Sequence, residues 1–159
     1  MNIIVFDIDD CLIDCNEFPK EHKLKQFELN LERISYIIEK TNSKLFMISS
    51  WSNILKIENN ILKFIDDYKP RSFDENYRYE CLILHLLNTR IIEKYGIIGL
   101  SKGNREEDIK KLLKEGNKVV TIDDYEFKID NKNHKYIPTY GFIQNYQIRD
   151  IINFLKGVI

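Results

Sequence analysis

The stretch Asn2-Ile3-Ile4-Val5-Phe6-Asp7-Ile8-Asp9-Asp10-Cys11-Leu12-Ile13-Asp14 organises the reading of the whole chain. Ile3 to Phe6 is a continuous apolar run with β-branched residues, which predicts a strand buried on both faces. That strand delivers Asp7 and Asp9 to its carboxyl end, where open α/β sheets bind their ligands. Asp7, Asp9 and Asp10 repel one another unless a cation sits between them, and hard carboxylate oxygens suit Mg²⁺. The crowding marks a candidate metal site.

A second run of the same kind, Lys118-Val119-Val120-Thr121-Ile122-Asp123-Asp124, ends in paired carboxylates. A turn opened by Asp124 would account for that pair alone. Two separate buried strands that each end in aspartates are much harder to explain as turns. Between them, Leu45 to Ile48 reads as another buried strand, ending in Ser49-Ser50-Trp51-Ser52. One of these serines can cap a following helix, and a helix N-terminus is itself an anion site, so capping and phosphate binding are compatible.

Helical periodicity predicts helices over Phe27–Lys40, Asn53–Asp67, about Glu75 to Tyr95 and Tyr146–Lys156. Pro70 closes the second of these, and Arg71 to Asn76 is a polar link. Gly96 to Leu100 is an edge strand or an extended link. Ser101-Lys102-Gly103-Asn104-Arg105 then opens a helix that runs to about Glu115 and stops at Gly116. Lys135 to Pro138 is a short strand. Cys15 to Lys25 is polar and reads as a loop, carrying Lys20, Lys23 and Lys25 beside His22. Lys20 and Lys23 are candidates to face a phosphorylated substrate, and a solvated loop is the plainer reading.

Length fits one domain spanning residues 1–159, large enough for a core without disulfides or structural zinc. A formal net charge of -1 argues against a general nucleic-acid binder working through a strongly basic surface. No apolar stretch is long enough to span a bilayer, and Met1 to Phe6 is too short for a signal peptide. The three cysteines, Cys11, Cys15 and Cys81, show no paired spacing, which favours reduced thiols and a cytoplasmic location. His22, His85 and His134 are scattered and read as surface or packing residues.

The segments Phe6-Asp7-Ile8-Asp9-Asp10-Cys11-Leu12, Ser49-Ser50-Trp51, the Lys102 loop and Val119-Val120-Thr121-Ile122-Asp123-Asp124 resemble, in order and placement, the four motifs of the haloacid dehalogenase-like phosphatases. Two departures are Asp10, where that family usually has Gly, and Cys11, where it has Thr or Val. The resemblance implies an α/β fold, a three-layer Rossmannoid domain with a central, mostly parallel sheet and a minimal cap. Residues 15–26 would form a small cap loop and residues 68–100 a helical insertion.

It also implies roles. Asp7 is the nucleophile and Asp9 the acid and base. Ser49, with Ser50 as alternative, contacts the phosphoryl oxygens. Lys102, with Arg105 as alternative, neutralises charge, and Lys110 lies too far along. Mg²⁺ would be held by Asp7, the backbone carbonyl of Asp9, and Asp123, with Asp124 beside it. The implied substrate is a phosphorylated small molecule or a nucleic-acid end. Cys11 is a small apolar filler, or else a redox-sensitive neighbour of the nucleophile.

Lys102 to Ile109, the Val119 to Asp124 strand, His134 to Gly141 and the terminal helix further resemble the phosphatase-like domain of the "Swiss Army Knife" RNA repair proteins. The Arg that often follows the Trp there is absent. So is a phosphate-binding GxxxxGK[ST] loop.

Overall fold

The computed structural model describes residues 1–15, 20–68 and 75–158. In chain order these form β1 (Asn2–Phe6), α1 (Lys20–Thr41), β2 (Lys44–Met47), a 3₁₀ turn (Ser50–Asn53), β3 (Leu55–Glu58) and β4 (Ile61–Phe64). There follow α2 (Glu75–Leu87), a π-helical turn (Asn88–Ile92), α3 (Glu93–Tyr95), β5 (Gly99–Leu100), α4 (Arg105–Lys114), β6 (Lys118–Asp123), β7 (His134–Pro138) and α5 (Asn145–Lys156).

Five strands make one sheet in the order β5-β2-β1-β6-β7, and every pairing is parallel. Side chains alternate across each strand, so successive residues enter different cores. Ile4, Phe6, Leu45, Met47, Val120 and Ile122 face one core with Phe27, Leu31 and Ile34 of α1 and Ile151 and Leu155 of α5. Ile3, Val5 and Val119 face the other, against Ile109, Leu112 and Leu113 of α4. The result is three layers, helix on sheet on helix.

From β1 the chain moves outward through β2 to β5, then returns to add β6 and β7 on the other side. The strand order therefore reverses between β1 and β6, where such sheets form a crevice at the strands' carboxyl ends. Phe6 pairs with Ile122, which sets Asp7 and Asp123 abreast at that crevice.

Two expectations are corrected. Lys20 to Lys25 is not loop: it forms the first turns of α1. Its Lys, Glu and Leu residues are good helix formers, but with little apolar periodicity they gave no helical signal. Residues 16–19 of the anticipated cap loop lie outside the described residues, as do Pro70 and residues 71–74.

The second correction concerns Asn53–Asp67, which is an antiparallel hairpin of β3 and β4 rather than a helix. Asn59 and Asn60 both take positive φ, 53° and 63°, the backbone of a two-residue type I′ turn. Leu55 pairs with Phe64 and Ile57 with Leu62. The side chain of Asn88 docks on the hairpin edge, its Nδ2 donating to the Leu62 carbonyl and its Oδ1 accepting from the Leu62 amide, each at 2.9 Å.

One buried side chain fixes the loop that follows β1. Asn30 of α1, fully buried, donates to the carbonyls of Leu12 (2.8 Å) and Gly141 (2.9 Å) and accepts from the Ile143 amide (3.0 Å). Gly141, at φ +89°, lets the two loops close: its amide donates to the Cys11 carbonyl at 2.6 Å, and a Cβ there would meet that of Asp14 at 3.0 Å. Among the described residues no helix is long and apolar enough to cross a membrane.

Candidate functional site

The carboxyl ends of β1 and β6 bring Asp7, Asp123 and Asp124 together. Each offers an oxygen, and these oxygens lie within 4.8 Å of one another. Asp7 is buried, its Oδ1 accepting from the Ile8 amide at 2.8 Å. Burial pushes its carboxyl above the ordinary range. The Ile8 amide, a Ser49 hydrogen bond and the Arg105 charge pull it back, while Asp124 adds to the rise.

Asp123 is fully buried, and its Oδ1 accepts from the Tyr125 amide at 2.9 Å. Its Oδ2 is buried without a hydrogen-bond partner among the described residues. Burial, with Asp7 and Asp124 adding to it, pushes this carboxyl up to about 7. An orphaned carboxylate oxygen beside two further carboxylates is the environment a hard cation completes. Oxygens on one Mg²⁺ lie up to about 4.2 Å apart, so only a small closing of the cluster is needed. The residues present fit the ion.

Asp9 stands outside that cluster by its side chain. Its Oδ2 accepts from the Trp51 indole Nε1 at 3.1 Å. Burial raises its carboxyl, Trp51 lowers it, and Asp10 and Glu80 raise it further. Asp10 takes φ +57°, a left-handed backbone that Asp tolerates better than most residues. Cys11 is fully buried, its Sγ donating to the Ile122 carbonyl at 3.4 Å. Burial foremost, with the surrounding carboxylates, pushes the thiol up, so it packs as an apolar group.

Ser49 fills the capping role: its Oγ accepts from the Trp51 amide at 3.3 Å as the cap of the 3₁₀ turn, and its hydroxyl is among the groups that lower the Asp7 carboxyl. Ser50 is exposed and lines a cavity beside Asp9.

The two basic candidates part company. The Lys102 ammonium donates to the carbonyls of Ser52 and Leu55, at the entrance to the hairpin. Arg105 opens α4, which Asn104 caps by accepting from the Glu107 amide at 3.1 Å, and it is the Arg105 charge that acts on Asp7. Lys20 places its ammonium 5.7 Å from the centroid of the Tyr79 ring. Lys23 is half-buried on α1 and forms no ion pair among the described residues.

Sequence reasoning missed Trp51 as partner of Asp9, and it missed Tyr79 and Glu80 of α2, which share a cavity with Asp9 and Trp51. Trp51 was visible in the serine-rich motif, but its separation of 42 positions from Asp9 hid the contact. Nothing around Tyr79 or Glu80 announces a site.

No protein-family model, curated protein or solved structure matches the chain.

Proposed function

We propose that this protein is a Mg²⁺-dependent phosphatase that hydrolyses a phosphomonoester through an aspartyl-phosphate on Asp7. The observation that carries the reading is the convergence of Asp7, Asp123 and Asp124 within 4.8 Å, at the reversal point of a parallel sheet. A Ser49 hydroxyl and the Arg105 charge on the same Asp7 support it.

Asp7, Asp123 and Asp124 would hold the ion, with the Asp9 carbonyl completing the set. Bound there, Mg²⁺ offsets the repulsion between an anionic carboxylate and an anionic phosphate. An Asp7 oxygen attacks phosphorus while the bond to the leaving oxygen breaks, and the Asp9 carboxyl gives that oxygen its proton. The resulting Asp9 carboxylate then takes a proton from water. Water oxygen attacks the same phosphorus, releasing inorganic phosphate and restoring the Asp7 carboxylate.

Trp51 orients Asp9 through its indole N–H. The Ser49 hydroxyl and Arg105 stabilise charge on the phosphoryl oxygens. Lys102, the first choice for this charge on sequence grounds, acts through the backbone of the hairpin entrance.

The test is phosphate release from an aryl phosphate, with and without Mg²⁺, in the wild type and in Asp7→Asn. Magnesium-dependent release that Asp7→Asn abolishes, with an unchanged circular dichroism spectrum, is the expected result. Release that survives the substitution rejects Asp7 as nucleophile.

A further inference from the structure

On the Asp9 side of the site lies a cavity of about 350 Å³, lined by Asp9, Ser50, Trp51, Ile54, Tyr79 and Glu80. That is within the size range of small-ligand pockets, roughly 300 to 1,000 Å³. Its position ties it to the proposed reaction, because the group that Asp9 protonates departs on this side.

Its walls have a specific chemistry. Among the described residues the buried Tyr79 hydroxyl has no hydrogen-bond partner, so a donor stands there without an acceptor. Asp9 and Cys15 are among the groups whose charge it feels, which sets it toward the acid and base. Glu80 accepts from the Tyr68 hydroxyl with Oε2, leaving Oε1 as a second acceptor, and it forms no ion pair among the described residues. Trp51, Tyr79 and Ile54 supply aromatic and apolar surface. The cavity thus offers apolar walls, a hydroxyl donor without a partner among the described residues, and a carboxylate with acceptor capacity beyond its bond to Tyr68.

The complement of that set is a flat ring whose edge carries a carbonyl next to an N–H. The polarity of the whole site adds a direction, since Arg105 lies at the phosphoryl end and Glu80 at the cavity end. We infer that the cavity receives the nucleobase of a nucleoside monophosphate, with Tyr79 donating to a ring carbonyl and Glu80 accepting from a ring N–H. This rests on the phosphatase reading for its orientation and adds the substrate class.

The experiment uses full-length Asp7→Asn protein with Mg²⁺ and measures binding by calorimetry. Its probes are uridine 5′-monophosphate, guanosine 5′-monophosphate, ribose 5-phosphate and a phosphorylated dinucleotide. The nucleoside monophosphates are expected to bind at least about tenfold more tightly than ribose 5-phosphate, the increment of one well-made hydrogen bond with ring burial. Tyr79→Phe and Glu80→Gln, each made in the Asp7→Asn background, are expected to cut that margin at least about threefold. Tyr79→Phe removes only a hydroxyl that has no partner among the described residues, so it is the variant that preserves the fold.

Equal affinities for nucleotide and sugar phosphate overturn the inference, as does a margin that both variants leave intact. Tighter binding of the dinucleotide than of either mononucleotide also overturns it, in favour of a nucleic-acid end. Turnover of an aryl phosphate by the wild type separates the two readings. No turnover with the margin intact sinks the reaction and keeps the nucleobase pocket; turnover with no margin does the reverse.

Discussion

Asp7 is held between opposing influences, with burial and Asp124 raising its carboxyl and the Ile8 amide, Ser49 and Arg105 lowering it. Arg105 is the full cation in that balance, and a fixed charge in a water-poor site is worth far more than one in solvent. Arg105→Met is therefore expected to lower kcat by about a hundredfold, the scale for loss of one transition-state donor. Lys102→Met should act mainly on stability, because its ammonium bonds two backbone carbonyls at the hairpin entrance. A destabilisation of about 1 kcal/mol is expected there. Steady-state kinetics with urea unfolding of both variants checks the pair, and the opposite pattern would return the phosphoryl contact to Lys102. Asp7, Asp123 and Asp124 were legible in the sequence because strand ends project them together. The choice between Lys102 and Arg105 was not legible: it depends on which way each side chain leaves a short loop, and spacing does not encode that.

Among the elements, β1, β2 and β6 announce themselves as apolar runs, since strands buried on both faces need no polar alternation. The β3–β4 hairpin was hidden because Ile54, Leu55, Ile57, Ile61, Leu62 and Ile65 match a helical spacing as well as two short strands. The deciding signal was Asn59-Asn60, whose two left-handed residues no helix accommodates. The hairpin depends on that turn in turn. Asn60→Val, a β-branched residue forced to φ near +63°, is expected to cost about 1 to 2 kcal/mol, whereas Asn60→Gly should cost nothing. Urea midpoints of the two variants check this. Equal midpoints would mean that the docking of Asn88 on β4, and not the turn, holds the hairpin.

For the molecule as a whole, the carboxylate cluster couples stability to pH and to cations. Asp123 titrates ordinarily near 3.8 and in the fold at about 7, so the folded state holds its proton more tightly. Its contribution is present below pH 3.8 and is lost as pH rises through about 7. His134, whose imidazole is lowered by burial, works in the opposite direction below its ordinary 6.5. In the presence of a chelator the melting temperature is expected to fall between pH 5 and 7.5. Added Mg²⁺ should raise it more at pH 7.5 than at pH 5, because the cation competes with that proton. Asp123→Asn should remove most of this difference in a thermal melt. A magnesium effect independent of pH would take Asp123 out of the ion's coordination.

The central position of β1, between β2 and β6, has a consequence in time. Ribosomes add roughly 5 to 20 residues per second, so β1 waits on the order of 6 to 20 s for β6 to emerge. Throughout that interval its edge is an unpaired template, and Asp7 stands without the aspartates that would share an ion with it. Asn30 likewise waits for Gly141 and Ile143 before the loop after β1 can lock. The carboxylate cluster is thus assembled only after Asp123 and Asp124 have been made, and the loop that carries Asp9 locks only after Ile143.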